Sequence, residues 1–119
     1  MDISITTKEV EYVPEWNENR KEKDPIKIRL RFLNNSQRSD LIRWKADSSG
    51  QINLDPDRRG LILTGVTKIE NLWIVEDGIR KEIKSGMALL QTYGLEALMI
   101  ELATEIIGMN PRQEAEKNS

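Results

Sequence analysis

Histidine and cysteine are both absent from this chain. The first absence removes the commonest general base at neutral pH and the commonest metal ligand. The second removes disulfides, thiolate nucleophiles and cysteine-held metals, and is compatible with a reducing compartment. Together they exclude the usual hydrolase triads, zinc sites and thiol enzymes. Carboxylate-only or lysine-based catalysis would need a specific constellation of side chains. Also missing is any stretch near the roughly 20 apolar residues that span a bilayer. The opening Met1-Asp2-Ile3-Ser4-Ile5-Thr6 has neither the basic start nor the apolar run of a secretory leader. A cytoplasmic location away from membranes is therefore expected. With 18 basic against 20 acidic residues the net charge is -2, which gives no global attraction to nucleic acid or anionic lipid.

What the chain has is enough apolar material for one core. Its 119 residues, 38% of them apolar and 32% charged, fit a single domain with a well-solvated surface. Residues 3–13 read as a strand or a bulged pair of short strands ended by Pro14. Residues 15–25 are polar and read as a loop, except that Trp16 is expected to fold back onto the core edge. Residues 26–33 alternate most clearly: Ile26, Ile28, Leu30 and Phe32 on one face, Lys27, Arg29 and Arg31 on the other. If this strand pairs antiparallel with the first, the basic row faces Glu9 and Glu11.

Asn34-Asn35-Ser36 supplies cap chemistry for a helix over 36–46, with Leu41 and Trp44 on one side. Asp47-Ser48-Ser49-Gly50 is a turn signal, and a short strand can follow at 51–54. Residues 57–65 suit either a buried strand or a short helix, and periodicity does not choose. Residues 66–75 predict a strand whose apolar end is buried on both faces; Asp77-Gly78 turns it into a partner over 79–83. Ser85 caps a helix over 86–92. After Tyr93-Gly94, residues 95–107 give the strongest amphipathic helix, stopped by Gly108 and Pro111. Residues 110–119 have almost no apolar content and are expected to be disordered in isolation.

The charged constellations each have a plainer explanation than chemistry. The row Lys27, Arg29 and Arg31 could contact phosphates, but sheet-based nucleic-acid binders usually carry aromatics on the same face, and Phe32 points the other way. A solvated face paired with acids is favoured. Asp47, Asp55 and Asp57 lack the alternating ligand spacing and closing glutamate of a calcium loop and read as capped turns. Glu96, Glu101 and Glu105 have no basic or ligating partner at matching spacing and read as a solvated helix face. Gly60 and Gly65 lack the lysine and hydroxyl of a phosphate loop. No catalytic residue, metal site or cofactor site is expected, so the chain reads as non-enzymatic.

What remains is surface for a protein partner. Most of the 95–107 stripe belongs to the core, but Ile100 sits off it, and Met87, Met99 and Met109 add adaptable apolar surface. Met99, Ile100, Ala103 and Met109 are the candidate interaction residues, with Lys27, Arg29 and Arg31 as the nucleic-acid alternative.

Several short phrases occur together in a distinctive order. Tyr12-Val13-Pro14 is followed by Trp16 and Asn19-Arg20. Val66 and then Ile69-Glu70-Asn71-Leu72 precede a hairpin. Ile83 with Gly86 and Leu89 opens the helical end, and Glu116-Lys117-Asn118-Ser119 closes the chain. This layout resembles small proteins of phage and prophage tail modules, particularly tail assembly chaperones. The resemblance implies a non-enzymatic protein of the bacterial host cytoplasm, needing no cofactor. Its partner would be a tape measure or other tail protein, held soluble while tail tube subunits polymerise around it. The expectation is thus a single α+β domain over 1–109: an antiparallel sheet from 3–13, 26–33, 66–75 and 79–83, with the helices on one face. A structural tail or neck-joining protein that forms a ring, through homo-oligomer contacts, is the second reading. A nucleic-acid binder using strand 26–33 is the third.

Overall fold

In the computed structural model, residues 1–109 and the backbone of Arg112 and Gln113 are described. Thirteen elements follow in order: strands β1 (Ile5–Thr6), β2 (Val10–Tyr12) and β3 (Lys27–Leu30), helix α1 (Asn35–Leu41), strands β4 (Ile42–Ala46) and β5 (Ile52–Pro56), helix α2 (Arg58–Gly65), strands β6 (Val66–Glu70), β7 (Trp73–Glu76) and β8 (Ile79–Glu82), helices α3 (Gly86–Leu90) and α4 (Glu96–Gly108), and strand β9 (Arg112–Gln113). A short 3-10 segment, Trp16–Lys21, lies between β2 and β3.

Strand β3 is the centre of the fold, between β2 and β6 in an antiparallel three-stranded sheet. Its alternation works as the pattern demands: Ile28 and Leu30 have no exposed surface, while Arg29 faces water. The register shifts between Arg29 and Leu30, which pair with Lys68 and Val66 and leave Thr67 between them. The Thr67 hydroxyl donates to the Arg29 carbonyl at 3.2 Å. The strand therefore stops at Leu30, short of the expected 33, and Leu33 turns into the core.

The helix expected over 36–46 is half helix and half strand. Asn34 and Gln37 form a reciprocal capping box at its start, as the cap chemistry required. The helix ends at Leu41, and Ile42–Ala46 runs on as β4. The three-residue step from Leu41 to Trp44 suggested a helix, but Ile42, Trp44 and Ala46 alternate with Arg43 and Lys45 at a period of two. The period-two pattern wins because β5 completes it across the Asp47 turn. Residues 57–65 resolve as helix α2, which Asp57 caps by accepting from the Gly60 amide at 3.0 Å.

The single strand expected over 66–75 is broken at Asn71, whose φ of 65° is left-handed. Its side-chain amide donates to the Pro25 carbonyl at 3.0 Å, holding the break in place. Beyond it, β7 and β8 form a separate hairpin whose turn residues Asp77 and Gly78 both have positive φ, as a primed turn needs. In place of one four-stranded sheet there are thus a three-stranded sheet and two-stranded pairs β1–β9, β4–β5 and β7–β8. The expectation of disorder over 110–119 falls outside the described residues, apart from Arg112 and Gln113, whose backbone pairs with Thr6 and Ile5.

One core joins the sheet to the helices, and the fold is α+β. Ile28, Leu30 and Ile69 from the sheet meet Leu61 and Ile62 of α2, Leu89 of α3, and Leu98, Leu102 and Ile106 of α4. Side chains of this size contribute roughly 1.5–3 kcal/mol each when fully buried. Helix packing is close: a Cβ on Gly65 would stand 2.6 Å from Ile106 Cδ1, and one on Gly86 would stand 2.8 Å from the Ile62 carbonyl oxygen. Ser85 caps α3 through the Ala88 amide, as expected. The molecule is nevertheless elongated, at 58 × 45 × 23 Å. Its radius of gyration is 17.0 Å, against about 13.5 Å for a compact domain of this length. Hairpin arms that leave the core fit that excess.

Candidate interaction surfaces

The β4–β5 hairpin carries one wholly apolar face. Its register sets Ile42 opposite Pro56, Trp44 opposite Leu54 and Ala46 opposite Ile52. Arg43, Lys45, Asn53 and Asp55 occupy the other face by the same alternation. Ile42, at the base, packs against the core, but the rest of the face is open: Trp44 is 69% exposed, Ile52 66% and Leu54 41%. An isolated two-stranded hairpin is marginal in water, so this arm is held by its ends. At the tip, one Asp47 oxygen accepts from the Ser49 hydroxyl (2.6 Å), the Ser49 amide (2.9 Å) and the Gln51 amide (3.0 Å). These bonds, the Ser49 hydroxyl first, hold the Asp47 carboxyl below the usual carboxylate range. At the base, the Asp57 amide donates to the Leu41 carbonyl at 2.8 Å, and Arg43 lies 3.7 Å from the Asp57 carboxylate.

The β7–β8 hairpin presents a second, mixed surface. Val75 and Ile79 are each 69% exposed, on opposite faces of the hairpin. The Arg80 guanidinium stacks 3.8 Å from the Trp73 ring, a cation–π contact that covers part of the indole.

Between Trp16 and Trp73 lies a cleft of about 300 Å³. Ile26, Leu72, Ile74 and Leu95 add apolar lining, and Glu22 and Asp24 add acid. Asn19, buried within the adjoining loop, organises one wall. Its amide nitrogen donates to the carbonyls of Pro14 (2.9 Å) and Ile26 (3.1 Å), and its oxygen accepts from the Ile26 amide at 2.7 Å. Asn17 and Glu18 adopt left-handed φ of 54° and 57° to make the bend.

The same loop is tied to α4 by Glu101. Its carboxylate accepts from the Tyr12 hydroxyl at 2.6 Å and from the amides of Glu15 and Trp16 at 2.7 and 2.9 Å. The reading of Glu101 as part of a solvated face is therefore corrected: its partners stand more than 80 residues away in sequence, beyond any helical spacing rule. Glu96 and Glu105 do stay exposed. Burial, followed by the Glu101 hydrogen bond and charge, pushes the Tyr12 phenol well above its ordinary value.

The four residues expected to form an interaction patch do not form one surface. Ala103 and Met109 are core residues, at 2% and 8% exposure; Met99 is half-buried, and only Ile100 is substantially exposed. Arg38 explains Met109: its guanidinium donates to the Ile107 and Met109 carbonyls, both at 3.1 Å, and draws the helix end against α1. Trp44, Ile52 and Leu54 were missed, although their shared parity across an Asp-Ser-Ser-Gly turn was a readable signal. Along the basic strand, Arg29 pairs across the sheet with Glu11 and approaches Glu9 at 3.8 Å. Lys27 stands opposite Glu70, which bonds Lys68 at 2.9 Å, and Arg31 is exposed. Acids interleave with the bases on this face.

Among the described residues no group of three or more potential ligands gathers to hold a metal, and no helix is long and apolar enough to cross a membrane. Comparison with known proteins gives no matching family model, no matching curated protein and no matching solved structure.

Proposed function

We propose that this chain is a non-enzymatic interaction module of a phage or prophage, and that it serves as a tail assembly chaperone for the tape measure protein. The observation that carries the interaction reading is the display of large apolar side chains on hairpins away from the core: Trp44, Ile52 and Leu54 on one, Val75 and Ile79 on the other. Trp44, Ile52 and Leu54 share one face, and an exposed apolar group of that kind marks binding surface. Val75 and Ile79 add exposed apolar side chains on the two faces of the other hairpin. A long, aggregation-prone client needs shielding by adaptable apolar contact, which two hairpins on a rigid domain supply. The phage assignment itself rests on the resemblance of the sequence phrases.

The test is co-expression with a long, coiled-coil tape measure chain. The expected result is a soluble complex that co-purifies, and an insoluble client when this chain is left out. Placing charges at Val75 and Ile79 (Val75→Glu with Ile79→Lys) is expected to release the client. A client equally soluble with and without this chain would end the chaperone reading.

The third reading, nucleic-acid binding through Lys27, Arg29 and Arg31, is disfavoured by the interleaved Glu9, Glu11 and Glu70. Their negative charge opposes the phosphate contacts that such binding depends on.

A further inference from the structure

The apolar arm and the Trp-walled cleft are complementary features of one chain. The arm offers an exposed indole, Trp44, at mid-strand, and the cations Arg43 and Lys45 are its sequence neighbours on the opposite face of β4. Among the described residues Arg43 has only a long contact to Asp57, and Lys45 has no ion pair. The cleft offers aromatic and aliphatic walls and a volume suited to one or two large side chains. Its acids Glu22 and Asp24 form no ion pair among the described residues. No residue of the arm lines the cleft, so a molecule does not satisfy both features by itself.

We infer that the β4–β5 arm of one copy seats Trp44 in the Trp16–Trp73 cleft of a second copy, with Lys45 and Arg43 set against Glu22 and Asp24. Burying the indole removes the largest exposed apolar side chain of the arm from water. The flexible stems of Lys45 and Arg43 reach over the open edge of β4 to the acids at the rim. The contact joins two different surfaces, so it is heterologous. Every copy keeps a free arm at one end and a free cleft at the other, and repetition gives a closed ring or an open chain. Val75 and Ile79, on the two faces of β7–β8, stay available to a different protein.

The experiment is sedimentation velocity on the full chain alone over a wide concentration range, with no other protein present. Its outcome is therefore independent of the tape measure reading. The wild-type chain is expected to grow in mass beyond a dimer as concentration rises. Trp44→Glu removes the arm contact at an exposed site, and the pair Glu22→Lys with Asp24→Lys removes the cleft contact. Each is expected to weaken self-association about tenfold or more, with an unchanged circular dichroism spectrum. Mixing the two variants is the decisive step, because one retains a good cleft and the other a good arm. They are expected to form a one-to-one dimer that grows no further. Adding Lys45→Glu and Arg43→Glu to the cleft variant is expected to restore growth. A wild-type chain that stays monomeric throughout overturns the inference. So does a cleft variant that still dimerises through its arms, or a mixture that fails to pair.

Discussion

The Tyr12 hydroxyl donates to the Glu101 carboxylate at 2.6 Å across 89 positions of sequence. That contact, with the two amides that share the carboxylate, fixes the loop after β2 to helix α4 and so shapes one side of the Trp16–Trp73 cleft. Glu101→Ala strips a charged acceptor from three donors and is expected to cost about 2–3 kcal/mol, whereas Tyr12→Phe removes one bond and costs about 1 kcal/mol. Urea denaturation of both single variants and the double variant measures the coupling; strictly additive losses would show that the two side chains act independently.

Burial of the Tyr12 phenol, and after it the Glu101 contact, sets an alkaline limit. The folded protein holds the Tyr12 phenol above its ordinary value of 10.0, so the unfolded chain releases that proton first. The stability it contributes is complete below the ordinary tyrosine value and drains away as pH climbs through and past it. Thermal melts taken on both sides of pH 10.0 are expected to show a steeper alkaline fall for wild type than for Tyr12→Phe. Parallel curves would refute the assignment.

Helix α2 meets α4 at Gly65. An alanine there sets its methyl group against Ile106, with an expected loss of about 1–3 kcal/mol from overpacking. Trimming the neighbour with Ile106→Val is expected to recover part of it. If Gly65→Ala alone proves as stable as wild type, the close approach is not real.

Asn19 holds three backbone groups at once. Asn19→Ala leaves the Ile26 amide and two carbonyls short of partners, at an expected cost of about 2–3 kcal/mol. Hydrogen exchange at the Ile26 amide is the sensitive readout, since that proton alone loses its acceptor directly.

Trp44 is large and apolar yet contributes little to the fold. Trp44→Ala is expected to change unfolding free energy by no more than about 0.5 kcal/mol. A loss of several kcal/mol would place the indole in the core and remove the reason for treating the arm as a binding surface.

The elements legible in the sequence were those whose stabilising contacts are local. The capping box at Asn34, the Ser85 cap, the Asp77-Gly78 turn and the alternation of β3 all depend on residues within a few positions of one another. The interruption at Asn71 was hidden because a side chain reaching Pro25 holds it, and nothing within Ile69–Leu72 announces that. Glu101 was misread for the same reason: its donors arrive from the other end of the chain. The β4 segment failed differently, since two periodicities overlapped there and only the partner strand decides between them. Ala103 and Met109 were placed on the surface because a helical stripe shows which residues share a side, not how far a neighbouring helix covers it.

Arg38 binds the last carbonyls of α4, while the turn from α1 into β4 is clasped by the Asp57 amide on Leu41. The arm is thereby a lever hinged on a fixed post, not a loose tether. Whatever grips Trp44 would be held at a set angle to the body, and force applied there would travel along α1 to the end of the longest helix.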